Sequence, residues 1–187
     1  DPATVDLDFT LMTGVEKVTA TTGTGTWVLG SLAQAAGVTT FTGGNWAHTV
    51  TASAYTVALT VDLTAGAGTD NDTITTGSGD DLLIFDGTDG LEDGDIISLG
   101  TGTDTIQLKN ADNLTAVADL DDITGVEKFV TTDADGAATT DADPVSLTFS
   151  TISEGTIQTI IVDGSGITDS LDNFTVNAGA GTATSTF

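Results

Sequence analysis

AGTDNDTITTGSGDDLLI, residues 67 to 84, decides how this chain folds. It divides into two nonapeptides, AGTDNDTIT and TGSGDDLLI. Each has Gly at its second position, Asp at its sixth (Asp72, Asp81) and an aliphatic residue at its eighth (Ile74, Leu83). Glycine tolerates left-handed and sharply turned backbone, so carbonyls and short carboxylates converge on one point. The aliphatic residue two positions after each aspartate anchors a short strand in a core. A hard cation such as Ca2+ takes about six to eight oxygens, and no other part of the chain offers so many so close together.

The register continues downstream. LGTGTDTIQ (Leu99 to Gln107) has Gly100, Gly102, Asp104 and Ile106 in the same places, and Asp95 stands nine residues before Asp104 with Ile97 two after it. Asp72, Asp81, Asp95 and Asp104 are thus separated by nine, fourteen and nine residues. The fourteen reads as nine plus a five-residue insertion near Phe85 to Asp89. Gly/Asp-rich segments are also the composition of ordinary solvated turns. Four aspartates in register, each two residues before an aliphatic, go beyond turn preference. The oxygen-rich chemistry favours calcium over magnesium, which keeps its waters and demands octahedral geometry.

The run resembles the GGxGxDxUx calcium-binding repeat of RTX proteins, secreted proteins whose repeats wind into a parallel β-roll. The resemblance is confined to the central segment. It implies that two nonapeptides complete one turn, with calcium between turns stacked on the same side. Asp72 then pairs with Asp95 on one edge and Asp81 with Asp104 on the other. It also implies backbone carbonyl ligands at Gly68, Gly77, Gly79, Gly100 and Gly102. Asp70 stands where the family usually has Gly, so its side chain adds a ligand or displaces a carbonyl.

Composition points the same way. Among 187 residues there are 28 acids against three lysines and no arginine, a net charge of −25. No basic footprint exists for nucleic acid, and so much negative charge disfavours compaction unless cations bind. The acids are mostly Asp, only Glu16, Glu92, Glu127 and Glu154 being Glu. Apolar content of 39% and a mean hydropathy of +0.16 are too high for a disordered acidic tail. With no cysteine, disulfides and thiolate metal sites are excluded. No apolar run reaches the length of a membrane-spanning helix. The chain starts at Asp1 without a signal peptide, which reads as a mature fragment or an excised piece.

The expected fold is all-β: a β-solenoid or β-roll segment with flanking Thr-rich β units (sandwich or solenoid) and one or two short helices. Thr49 to Leu63 alternates with period two, and Thr26–Leu29, Val145–Phe149 and Thr156–Val162 are further strand candidates. Ser31 is expected to cap a short helix through Ala36 that Gly37 stops, and Ala111 to Leu120 to form another. TGVEKV at Thr13–Val18 recurs as TGVEKF at Thr124–Phe129, and LTAGAGT at Leu63–Thr69 as VNAGAGT at Val176–Thr182. The chain therefore divides into a β unit (1–65), a calcium roll (66–108) and a second copy of the β unit (109–187).

Other acidic stretches read as structural. DADGAATTDAD (Asp133–Asp143) lacks EF-hand spacing, Asp119, Asp121 and Asp122 cap and solvate, and Glu16–Lys17 and Glu127–Lys128 hold equivalent structural places. His48 has no partner for a zinc site. Trp27, Trp46 and Tyr55 read as packing rather than a glycan platform. No GxSxG, HExxH or Cys–His pair is present, so no enzyme is expected. The resemblance extends to S-layer and large RTX surface proteins, where TGVEK-like segments stand in Thr-rich β units beside such runs. It implies a calcium-dependent structural module of a type I-secreted, extracellular bacterial surface protein. Its partners would be copies of itself in a lattice or filament, and cell-surface polysaccharide. The alternatives are a calcium-rigidified adhesin, or the C-terminal secretion region of an RTX enzyme or toxin.

Overall fold

A computed structural model describes residues 3–6, 9–21, 23–64, 70–86, 91, 94–109, 122–132, 145–149, 161–166 and 174–178. Thr alternating with aliphatic residues suits strands with one face buried, and here the strands are short. First come β1 (Ala3–Asp6), β2 (Lys17–Thr19), β3 (Gly25–Val28), helix α1 (Ser31–Ala36), β4 (Thr40–Thr42), β5 (His48–Thr51) and β6 (Thr60–Asp62). Next are β7 (Thr73–Thr75), β8 (Leu82–Asp86), β9 (Ile96–Ser98), β10 (Thr105–Lys109) and β11 (Ile123–Thr124). The last are β12 (Lys128–Thr132), β13 (Val145–Phe149), β14 (Ile161–Gly166) and β15 (Phe174–Ala178).

Odd strands β1 to β11 form one six-stranded sheet in chain order, and even strands β2 to β14 form a seven-stranded sheet. β13 and β15 pair with each other. All these pairings are parallel. A chain that alternates between two parallel sheets in this way is a β-solenoid. Both sheets pass without a break from residues 1–65 into 66–108, through the β5–β7 and β6–β8 pairings. They continue past 108 through β9–β11 and β10–β12.

Register places like residues in columns. Val18, Phe41, Val61, Leu83, Ile106 and Phe129 stack inside the even sheet. Val50, Ile74, Ile97 and Ile123 face them from the odd sheet, and all ten are buried. Outside, Thr26, Thr49 and Thr73 form one threonine row. Parallel pairing in register is thus reinforced by apolar neighbours inside and threonine neighbours outside.

Two expectations change in detail. The alternating run Thr49–Leu63 is β5 and β6 in opposite sheets, because the chain turns at Ala52, whose carbonyl accepts the Tyr55 N–H at 2.9 Å. The helix occupies Ser31–Ala36 and stops at Gly37 (φ 103°), but its N-cap is Gly30, with no side-chain cap. Of the Thr156–Val162 candidate, Ile161 and Val162 open β14, and residues 156–160 lie outside the described part. Also outside it lie Gly68, the Ala111–Leu120 helix, Asp119, Asp121 and the Asp133–Asp143 loop.

Candidate metal centre

Two positions before each inward aliphatic, the side chain leaves the strand and lies along the edge of the turn. Asp72 and Asp95 occupy this position on the odd sheet, Asp81 and Asp104 on the even sheet. Each pair is 23 residues apart and joined the same way: Asp95 Oδ1 accepts the Asp72 N–H at 2.7 Å, and Asp104 Oδ1 accepts the Asp81 N–H at 2.8 Å. Each carboxylate thus reaches back one turn to a backbone amide. Asp72 in turn accepts the His48 N–H at 2.7 Å and Asp81 the Leu59 N–H at 2.8 Å. The ladder continues into the repeated TGVEKF, where a Glu127 carboxylate oxygen accepts the Asp104 N–H at 2.7 Å.

The pairing of turns therefore follows the register expected from the repeat, each pair standing 23 residues apart, two nonapeptides plus the five-residue insertion. Phe85 and Asp86 belong to β8 and β9 opens at Ile96, so within the range Phe85–Asp89 expected for the insertion only positions after Asp86 lie between the two strands.

On the even edge the carboxylates are not fully satisfied. Asp81 and Asp104 are buried, and Oδ2 of each has no hydrogen-bond partner. Desolvation raises the carboxyl pKa of both, to about 6 for Asp104. At Asp104 desolvation is the largest cause; the Asp81 N–H lowers the value, and repulsion from Asp81, Glu127 and Asp80 adds to the rise. At Asp81 the Thr76 hydroxyl and the Leu59 and Gly77 amides offset part of the shift. The Thr76 hydroxyl, however, donates to the Leu99 carbonyl at 2.8 Å. A buried carboxylate oxygen without a donor is costly. It is relieved by a proton or by a cation.

The glycines are there for stacking. A Cβ at Gly100 would overlap the Gly77 carbonyl oxygen, and one at Gly102 (φ 151°) the Gly79 carbonyl oxygen. Likewise, a Cβ at Gly77 would meet the Tyr55 carbonyl and one at Gly79 the Val57 backbone. The Gly77 carbonyl accepts the Thr101 N–H at 3.0 Å, and Asp80 Oδ1 accepts the Thr103 N–H at 2.9 Å. Asp70 is exposed. His48 is buried, with Nε2 3.1 Å from the Gly44 nitrogen and 3.0 Å from the Gly44 oxygen. Trp27 packs on Phe41 at 5.8 Å and Tyr55 is buried, whereas Trp46 is exposed.

Sequence reasoning missed two acids of this edge. Glu127 follows Asp104 by 23 residues, so the turn period would have found it; Asp80 carries no positional signal beyond adjoining Asp81. The buried, orphaned oxygens fit a cation. Among the described residues no three His, Cys, Asp or Glu side chains are arranged to enclose one, so glycine carbonyls and water would have to complete an oxygen shell. No helix among the described residues is long and apolar enough to cross a membrane. In comparisons with known proteins no family model matches the chain, and neither the curated proteins nor the solved structures provide a match.

Proposed function

We propose that this chain is a calcium-stiffened structural module of an extracellular, self-assembling bacterial surface protein, an S-layer or a filament. The observation that carries the reading is the pair of buried carboxylates, Asp81 and Asp104, one turn apart, each with an unpartnered oxygen. A divalent cation would add positive charge to a chain that has three lysines against 28 acids. Hard-cation preference for oxygen and the tolerance of calcium for irregular shells favour Ca2+. Asp81 and Asp104 would hold it, with Asp80 and Glu127 adding to the negative field. The RTX-like spacing and the acid-rich, cysteine-free composition support a secreted setting in which free calcium is high.

The test is calcium titration by calorimetry, with melting curves in calcium and in EGTA and electron microscopy of the calcium-loaded protein. Binding with Kd of order 0.1–1 mM is expected for an extracellular module, with a higher melting temperature and ordered assemblies. The Asp81→Asn/Asp104→Asn double variant should lose the binding. Identical melting with calcium and EGTA, or a double variant that binds as well as the native chain, refutes the cation reading. Calcium binding without assembly refutes the surface-array part alone.

A further inference from the structure

Charge divides the solenoid into two blocks. Residues 18–61 contain no Asp, Glu, Lys or Arg, whereas residues 62–105, a stretch of the same length, contain eleven acids and no Lys or Arg. Both edges change character at the same level of the stack. In the odd column Gly25 and His48 give way to Asp72 and Asp95. In the even column Thr39 and Leu59 give way to Asp81 and Asp104. Strands β3 to β6 with α1 are thus a neutral block, ending at Asp62, whose carboxylate accepts the Thr64 N–H at 3.1 Å and the Thr64 hydroxyl at 2.7 Å. Strands β7 to β10 are an acidic block on the same two continuous sheets.

The blocks tie their turns together differently. In the neutral block the Leu29 N–H donates to the Thr51 carbonyl at 2.8 Å and the Thr60 N–H to the Thr39 carbonyl at 2.9 Å. Gln34 joins α1 to the next turn through both ends of its amide, accepting the Thr56 N–H at 2.9 Å and donating to the Thr56 hydroxyl at 3.0 Å. Leu29, Phe41, Val50 and Tyr55 fill the space between. The buried atoms of this block without a partner, Trp27 Nε1, Thr42 Oγ1, His48 Nδ1 and Tyr55 Oη, carry no negative charge.

In the acidic block carboxylates are added to the backbone ties, and they run in sequence. Asp72 and Asp81 accept the amides of His48 and Leu59, which belong to the neutral block. Asp95 and Asp104 accept the amides of Asp72 and Asp81 in turn. Asp80 reaches the other way, to the Thr103 N–H at 2.9 Å. Solenoid stability is close to a sum over turns and their nearest-neighbour contacts. A block whose buried acids repel one another therefore opens at lower cost than its neutral neighbour.

We propose that only the acidic block depends on calcium for closure. Without calcium β3 to β6 stand folded and β7 to β10 are open; with it the acidic turns close onto the neutral ones in chain order. The neutral block is the template, because it presents the two amides that Asp72 and Asp81 take. Asp95 and Asp104 find their amides only once that first turn is in place. The inference rests on the cation reading above and adds to it which part of the chain calcium governs.

The test is hydrogen exchange of the full chain, resolved by segment with mass spectrometry, in calcium and in EGTA. Residues 25–62 should exchange alike in both. Residues 73–109 should exchange as open chain in EGTA. With free calcium at tenfold Kd, their exchange should slow about tenfold for each ion bound. The D72N/D81N/D95N/D104N variant keeps an acceptor for every amide, so it should protect residues 73–109 in EGTA and respond little to calcium. Protection of residues 73–109 in native chain in EGTA, or their exposure in that variant while residues 25–62 stay protected, overturns the proposal. Calorimetric calcium binding with both blocks gaining protection together sinks the division into blocks and leaves the cation reading standing. Exchange indifferent to calcium throughout, with no heat of binding, sinks both.

Discussion

Asp104→Asn should change sign with calcium. Asp104 is 0% exposed, and its Oδ1 holds the Asp81 N–H at 2.8 Å while Oδ2 has no donor. Asparagine keeps the first contact through its carbonyl and removes the charge. Burial pushes the folded carboxyl to about 6 from an ordinary value of 3.8. A shift of that size, discounted because a single turn covers the group, corresponds to about 1–3 kcal/mol against the ionised form at neutral pH. In EGTA at pH 7.5 the variant should therefore match or exceed the native chain in urea denaturation. An unpartnered amide in place of the oxygen limits the gain. With free calcium at tenfold Kd, the native chain gains about 1.4 kcal/mol per site, a gain the variant forgoes. The pH arm has a fixed sign. The folded carboxyl takes up its proton near 6 and the unfolded one only near 3.8, so the stability it contributes is complete below 3.8 and is lost as pH rises through about 6. Without calcium, acidification across that window should stabilise the native chain more than Asp104→Asn; with calcium the difference should shrink. Equal loss of stability by the variant in EGTA and in calcium would refute the reasoning. It would leave the carboxylate as a plain hydrogen-bond acceptor.

Two further substitutions probe the stack itself. Glu127→Ala strips the Asp104 N–H of its acceptor and should cost about 1–3 kcal/mol in urea denaturation, whereas Glu127→Gln should cost under about 1 kcal/mol. Gly125→Ala and Gly14→Ala share a φ of 72° and so share about 1–2 kcal/mol of left-handed strain. Only Gly125→Ala also drives a Cβ to 2.9 Å from Gly100, so it should melt distinctly lower; equal melting temperatures would deny the close stacking of those turns.

The fold was legible where side chains repeat with a fixed offset. Aspartates two residues before Ile74, Leu83, Ile97 and Ile106 gave the inward faces of short strands, and the repeat resemblance implied the pairing of Asp72 with Asp95 and Asp81 with Asp104 that the register has. The variation in turn length was not legible. Both arcs vary: a helix stands between β3 and β4 on the odd-to-even arc, and the even-to-odd arc is longer from β8 to β9 than from β4 to β5. What aligns the turns is backbone pairing in register, which leaves no residue-type signal at the arcs. The break in Thr49–Leu63 was hidden for a related reason. Tyr55 points inward from a turn and preserves the alternation of a continuous strand. Glu127 was visible as part of a repeat, but its contact to Asp104 follows only once the turns are stacked.

Stacking alone does not require acids in the edge columns. The even column begins with Glu16, Thr39 and Leu59 before reaching Asp81, Asp104 and Glu127. The turns at Thr39 and Leu59 are held by backbone bonds, the Thr60 N–H to the Thr39 carbonyl at 2.9 Å and the Leu82 N–H to the Leu59 carbonyl at 3.0 Å. Neutral residues therefore suffice for a stable rung, and a neutral acceptor would satisfy the amide that each aspartate receives. Two buried carboxylates with a spare oxygen each, and with Asp80 and Glu127 adding repulsion, make that edge worse as an isolated protein. The acids make physical sense if the rungs they occupy are meant to close only when positive charge is supplied. The solenoid then carries its stacking rule in the backbone and a cation requirement in Asp81 and Asp104.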